Sequence, residues 1–177
     1  MMKKLILFSL LIVVALFSCK KLNKLTQFNL TYDESITIPS NSAINLPFVI
    51  QTPDMTTNSE STFEVNDTRK DLIQEIKLTQ MVLTVNTPAS GNYNFLKDII
   101  LYINADGLDE VKLAWQENIP NDSAKQLTLN VSNADIKEFI KKDKFNLRVV
   151  TTTDEVITTD YKIDLHYVLF VDAKLKK

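Results

Sequence analysis

From Phe28 onward the chain alternates between apolar and polar side chains in short blocks separated by turn-forming residues. Phe28, Leu30 and Tyr32 share one parity, and Ile36 and Ile38 resume it beyond Asp33-Glu34-Ser35. Alternation with a period of two marks strands that bury one face and wet the other. Leu46-Pro47-Phe48-Val49-Ile50 reads as a further strand, at an edge because proline has no backbone N–H to donate to a ladder. Residues 52–62 are polar and read as a loop, with a short strand expected at Phe63-Glu64-Val65. Between Leu72 and Val85 the parity slips once: Ile76 and Leu78 fall on one side, Met81, Leu83 and Val85 on the other. A β-bulge near Thr79-Gln80 accounts for that slip, and a helical turn at Asp71-Leu72-Ile73 also fits. Ile99–Ile103 and Val111–Trp115, joined across Asp106-Gly107, predict a hairpin, and Leu127–Val131 predicts one more strand. Ser132–Asp135 offers a helix cap, and Ile136, Phe139 and Ile140 follow at helical spacing. Phe145–Val149 and the run from Val156 to Leu175 are expected to pair as the final two strands, turned around Thr151–Asp154.

Many short strands with polar turns, and one short helix, predict an all-β fold: an antiparallel β-sandwich or a Greek-key barrel. The final run adds a local anomaly. Ile157, Tyr161, Ile163, Leu165, Tyr167, Leu169 and Val171 share one parity, and the even positions are polar until Val168 and Phe170. A strand apolar on both faces must be covered on both. The cover is either this chain, through the helix at 133–142 or the N-terminal segment, or an envelope partner for which Val168 and Phe170 form the contact surface.

Before residue 28 the pattern is of another kind. Met1-Met2-Lys3-Lys4 is basic, and Leu5–Phe17 is apolar on every side, then Ser18-Cys19 and the lysines 20, 21 and 24 follow. A spanning helix needs about 20 apolar residues, and this run stops short of that. Charge, length and order are those of a secretory signal, residues 1–18. Leu16-Phe17-Ser18-Cys19 resembles the lipobox of bacterial lipoproteins, with Phe17 standing where a smaller residue is usual, as in looser Bacteroidetes-like lipoboxes. The resemblance covers the leader alone. It implies cleavage before Cys19, a diacylglyceryl group on its sulfur and an acyl chain such as palmitate on its new amino group. The segment after the cysteine, Lys20-Lys21-Leu22-Asn23-Lys24, lacks the Asp resembling an inner-membrane retention signal and the acidic run resembling a surface-export signal. By that resemblance the protein sits in the cell envelope, on the outer membrane and facing the periplasm. Residues 19–27 read as lipidated cysteine and tether, and 28–177 as one domain.

Composition narrows the rest. Cys19 is the only cysteine, so no disulfide forms within the chain and the core must hold the fold. Removing residues 1–18 from the 177-residue chain leaves 159, with 18 basic against 22 acidic side chains, a formal charge of −4. That balance provides no basic surface for nucleic acid. The two glycines, Gly91 and Gly107, stand apart, which excludes a glycine-rich phosphate loop. His166 is the only histidine, too few for a zinc site built from several His or Cys ligands, and it reads as a solvated strand residue. Asn104–Glu110 spaces its acids somewhat like a calcium loop. Aligning Gly107 with that loop's glycine, however, puts Tyr102 and Leu113 where the essential carboxylates belong, so a hairpin turn fits better. Asp33-Glu34, Asp109-Glu110 and Asp154-Glu155 fall beside expected turns and read as solvated. Trp115 could stack on a sugar, but it shares parity with Val111 and Leu113, which favours the core. No cofactor, metal or catalytic motif is indicated. The expectation is a membrane-anchored, non-catalytic β-sandwich acting as a structural or interaction module. The alternatives are a binder of an apolar or carbohydrate ligand, held between the sheets or on one face, and then a hydrolase with a carboxylate pair.

Overall fold

The computed structural model describes residues 26–174 apart from 41, 58 and 67; the leader, Cys19 and most of the tether lie outside them. The first strand, β1, runs unbroken over Gln27–Ile38. β2 (Pro47–Gln51), the two-residue β3 (Met55–Thr56), helix α1 (Ser59–Glu64) and a 3-10 turn at Lys70–Leu72 lead into the long β4 (Ile73–Thr87). β5 (Leu96–Asn104) and β6 (Val111–Gln116) form the expected hairpin, with Gly107 at φ 72° in its turn. β7 (Gln126–Thr128), β8 (Asn130–Val131), helix α2 (Lys137–Ile140), β9 (Lys144–Thr153) and β10 (Tyr161–Ala173) complete the order.

The strands pair antiparallel in two sheets. The first has the order β1-β10-β4-β7; the second has β2-β9-β5-β6-β8, with β3 also beside β9. Matching the two orders sets β1 against β2, β10 against β9, β4 against β5 and β7 against β6. This is the arrangement of a long two-stranded ribbon rolled up on itself, the jelly-roll form of the β-sandwich. The sandwich, rather than a closed barrel, is therefore the fold.

Strand parity sets what lies between the sheets. Ile76, Leu78, Met81 and Leu83 of β4 are buried, as are Ile163, Leu165, Tyr167, Leu169 and Val171 of β10. Ile99, Leu101 and Ile103 of β5 meet them with Phe145, Leu147 and Val149 of β9. Each such side chain contributes about 1.5–3 kcal/mol on leaving water, which is how a fold without a disulfide is held. The slip in β4 is a bulge: Leu78 pairs with Leu169 and Gln80 with Val168, so Thr79 is extra and Met81 returns to the core.

Five sequence expectations change. Asp33-Glu34-Ser35 is not a break but the middle of β1, paired with His166, Leu165 and Asp164. The segment read as a loop contains β3 and the start of α1, and Phe63 is helical and buried, not in a strand. β9 and β10 are not a hairpin: they belong to different sheets, and the chain crosses between them before Tyr161. Leu127–Val131 is likewise split. β7 pairs with β4, β8 pairs with β6, and buried Leu129 between them donates its N–H to the Met81 carbonyl at 3.0 Å. The helix after Asp135 is a single turn, though Ile136, Phe139 and Ile140 are buried as its spacing requires.

Candidate functional site

The largest departure from the sequence pattern is at Trp115. On β6 both Leu113 and Ala114 are buried, because the pairing with β5 shifts by one residue between Leu101 and Tyr102. A one-residue shift turns every later side chain to the other face. Trp115 therefore leaves the core parity of Leu113 and stands half-buried opposite Ile100, on the outer face of the second sheet. The expected core position for Trp115 is thus corrected by a bulge that only the partner strand reveals.

Around it the outer face is ordered in rows. Val49 is opposite Val150, Val150 opposite Ile100, and Ile100 opposite Trp115, one apolar row across β2, β9, β5 and β6. Val49 is 58% exposed. The next row holds Gln51, Arg148, Tyr102 and Lys112. The Arg148 guanidinium lies 4.3 Å from the Tyr102 ring centre, and its Nε donates to Glu110 Oε2 at 2.7 Å. That hydrogen bond holds the Glu110 carboxyl below its ordinary range. The Lys112 ammonium sits 4.2 Å above the Trp115 ring centre, where the negative π-face attracts a cation. Beyond Tyr102 and Arg148, Asn104 faces Asn146. Both line a cleft of about 810 Å³ that also takes in Asp54 and the hairpin residues Asp106 and Asp109.

The other candidates fall elsewhere. Val168 and Phe170 are half-buried on the outer face of the first sheet, with Thr31 and Gln80 beside Val168 and Asn29 and Lys77 beside Phe170. Helix α2 packs against β4 and β9. His166 is exposed on the outer face of the first sheet, its Nδ1 2.7 Å from Asp33 Oδ1. Asp33 and Glu34 are neighbours on one strand and so point to opposite faces, which no paired-carboxylate mechanism tolerates. Glu34 is half-buried, and desolvation raises its pKa. Asp154 and Glu155 are exposed. Among the described residues no group of three or more His, Cys, Asp or Glu side chains is placed to hold a metal ion.

No family model matches the chain, and no curated protein matches it in sequence. Among solved structures it is similar to that of Desmodium yellow mottle tymovirus, at 9% identity over 85% of this chain and 90% of that one, with a TM-score of 0.30. Cocksfoot mottle virus is similar at 10% identity, over 85% of this chain and 86% of that one, TM-score 0.29. A carbohydrate-binding module of the β-sandwich super family is similar at 13% identity, over 84% of this chain and 55% of that one, TM-score 0.28. TM-scores this low carry no weight for fold or function; the jelly-roll order stands on the strand pairing alone.

Proposed function

We propose that this chain is an exported lipoprotein, held by lipid on Cys19 in the outer membrane and facing the periplasm. Its jelly-roll domain serves there as a non-catalytic interaction module. One observation carries the module: the row Val49–Val150–Ile100–Trp115 is apolar yet lies on the solvent side of a sheet whose other side already packs the core. Apolar surface left in that position is the usual mark of a binding face. The lipobox at Leu16–Cys19 supports the anchor, and several acyl chains bury enough CH₂ groups, at about 0.8 kcal/mol each, for stable attachment.

Two measurements test the reading. Cys19→Ser should abolish incorporation of labelled palmitate and leave uncleaved precursor; normal processing of that variant would sink the anchor. Val49→Asp should change stability by no more than about 0.5 kcal/mol, since the site is exposed. It should also remove a specific crosslink of the lipidated protein in intact cells, and an unchanged crosslinking pattern would refute the module.

A further inference from the structure

The outer face of the second sheet also selects among ligand classes. Its apolar strip is narrow: the row Val49–Val150–Ile100–Trp115 is bordered by Gln51, Arg148, Tyr102 and Lys112 on one side and by Pro47, Thr152 and Asp98 on the other. A protein interface of standard size covers about 800 Å² per partner and keeps lysine out of its centre. Here Lys112 lies on the one indole ring of the face. A sugar ring has the matching section, an apolar C–H face edged by hydroxyls that need fixed donors and acceptors. The strip crosses four strands, about 14 Å at the usual strand spacing, so it suits a short run of sugars better than one.

Charge adds the second constraint. Arg148 is neutralised by Glu110, whereas Lys112 has no carboxylate partner among the described residues and rests only against the Trp115 ring. A neutral sugar stacking on Trp115 would have to displace that ammonium with nothing in return. A sugar bearing a carboxylate would displace it into an ion pair, which is the stronger, charge-assisted contact.

We propose that this face binds an acidic polysaccharide laid across β2, β9, β5 and β6, one uronate ring stacking on Trp115 and its carboxylate pairing with Lys112. The proposal rests on the interaction-module reading but not on the anchor. Trp115 is the only tryptophan of the chain, so its emission reports on this face alone. The full-length chain in detergent would be titrated with oligogalacturonate, oligomannuronate and, for comparison, neutral cello-oligomers of the same length. The expected result is a saturable change in emission with an acidic oligomer, weakened by salt and much smaller with the neutral one. Lys112→Ala, which keeps the reporter, should weaken acidic binding about tenfold or more, and Trp115→Ala, followed by calorimetry, by at least as much. Equal binding of neutral and acidic oligomers, or indifference to Lys112→Ala, would overturn the acidic-sugar assignment. No response to any oligomer would overturn the saccharide proposal altogether. The module reading would survive that result, because it stands or falls on the Val49→Asp crosslink.

Discussion

Asp135 joins helix α2 to strand β4: its Oδ1 accepts the Ile76 N–H at 3.0 Å while the Ile136 N–H donates to the Ile76 carbonyl at 2.8 Å. The same carboxylate accepts the Lys137 N–H at 3.1 Å and lies 2.9 Å from the Lys137 ammonium. Desolvation pushes the Asp135 pKa up, but the hydrogen bonds from Lys137 and from the Ile76 backbone outweigh it and leave the pKa lowered. Asp135→Ala should therefore cost about 1–3 kcal/mol near neutral pH, the penalty of leaving the Ile76 N–H without its partner. A lowered folded-state pKa gives stability that is present above the unfolded carboxylate value, about 3.9, and lost as the pH falls through the folded one. The gap between wild type and variant should thus narrow in acid. Denaturant midpoints at pH 7 and near pH 3 would show it, and a gap that stays constant would refute the role.

Phe139 and Lys141 separate packing from surface in the same turn. Phe139 is 5% exposed, and Phe139→Ala should cost about 3–5 kcal/mol as an aromatic core truncation. Lys141 pairs with Glu138 at 3.1 Å on the solvent side, and Lys141→Ala should cost no more than about 0.5 kcal/mol. Equal small losses in urea melts would mean that the turn does not anchor the sandwich.

Leu169 and Phe170 are consecutive yet face opposite ways. Leu169 is 1% exposed between the sheets, while Phe170 is half-buried beside Asn29 and Lys77. Leu169→Asp should prevent folding or cost several kcal/mol, because it buries an unpaired charge. Phe170→Asp should cost only about 1 kcal/mol. A thermal melt of each variant decides it, and a collapse of Phe170→Asp would mean that the outer side of β10 is covered after all.

The two glycines should respond to alanine for different reasons. A Cβ on Gly91 would stand 2.8 Å from a Val85 methyl, 2.9 Å from the Pro88 carbonyl oxygen and 2.9 Å from the Tyr161 ring. Backbone cannot move aside cheaply, so Gly91→Ala should cost about 1–3 kcal/mol through overpacking. A Cβ on Gly107 would meet only the Lys142 ammonium, at an ordinary contact distance of 3.9 Å, but the φ there is 72°, so Gly107→Ala should cost about 1 kcal/mol through backbone strain. Thermal melts of both variants test the contrast; a larger loss at Gly107 would invert the explanation.

Much of the fold was legible because strand parity is a local property. Period-two alternation located the long strands, the single slip in β4 announced the Thr79 bulge, and Asp106-Gly107 announced the β5–β6 hairpin. Where strand parity misleads, the deciding contact is distant. Asp33-Glu34-Ser35 look like a break between two alternating blocks, yet they continue β1 because β10 offers partners along the whole stretch. Phe63 looks like a strand residue in isolation and is helical and buried in the fold. Of the candidate face, the residue types were visible but their assembly was not: Val49, Val150, Ile100 and Trp115 come from four strands, and nothing near Trp115 in sequence states that it leaves the core.

The sequence by itself determined that the domain is a mostly β structure without a disulfide, and which side of most strands is apolar, because alternation and the cysteine count require no knowledge of partners. Only the tertiary structure decided that β9 and β10 lie in different sheets, that the chain crosses between sheets at Leu129, and that Trp115 faces outward. The reason is common to all three. Sheet membership and register are settled by the free energy of pairing with strands far away in the chain, and a bulge reverses the facing of a side chain only relative to the strand it pairs with.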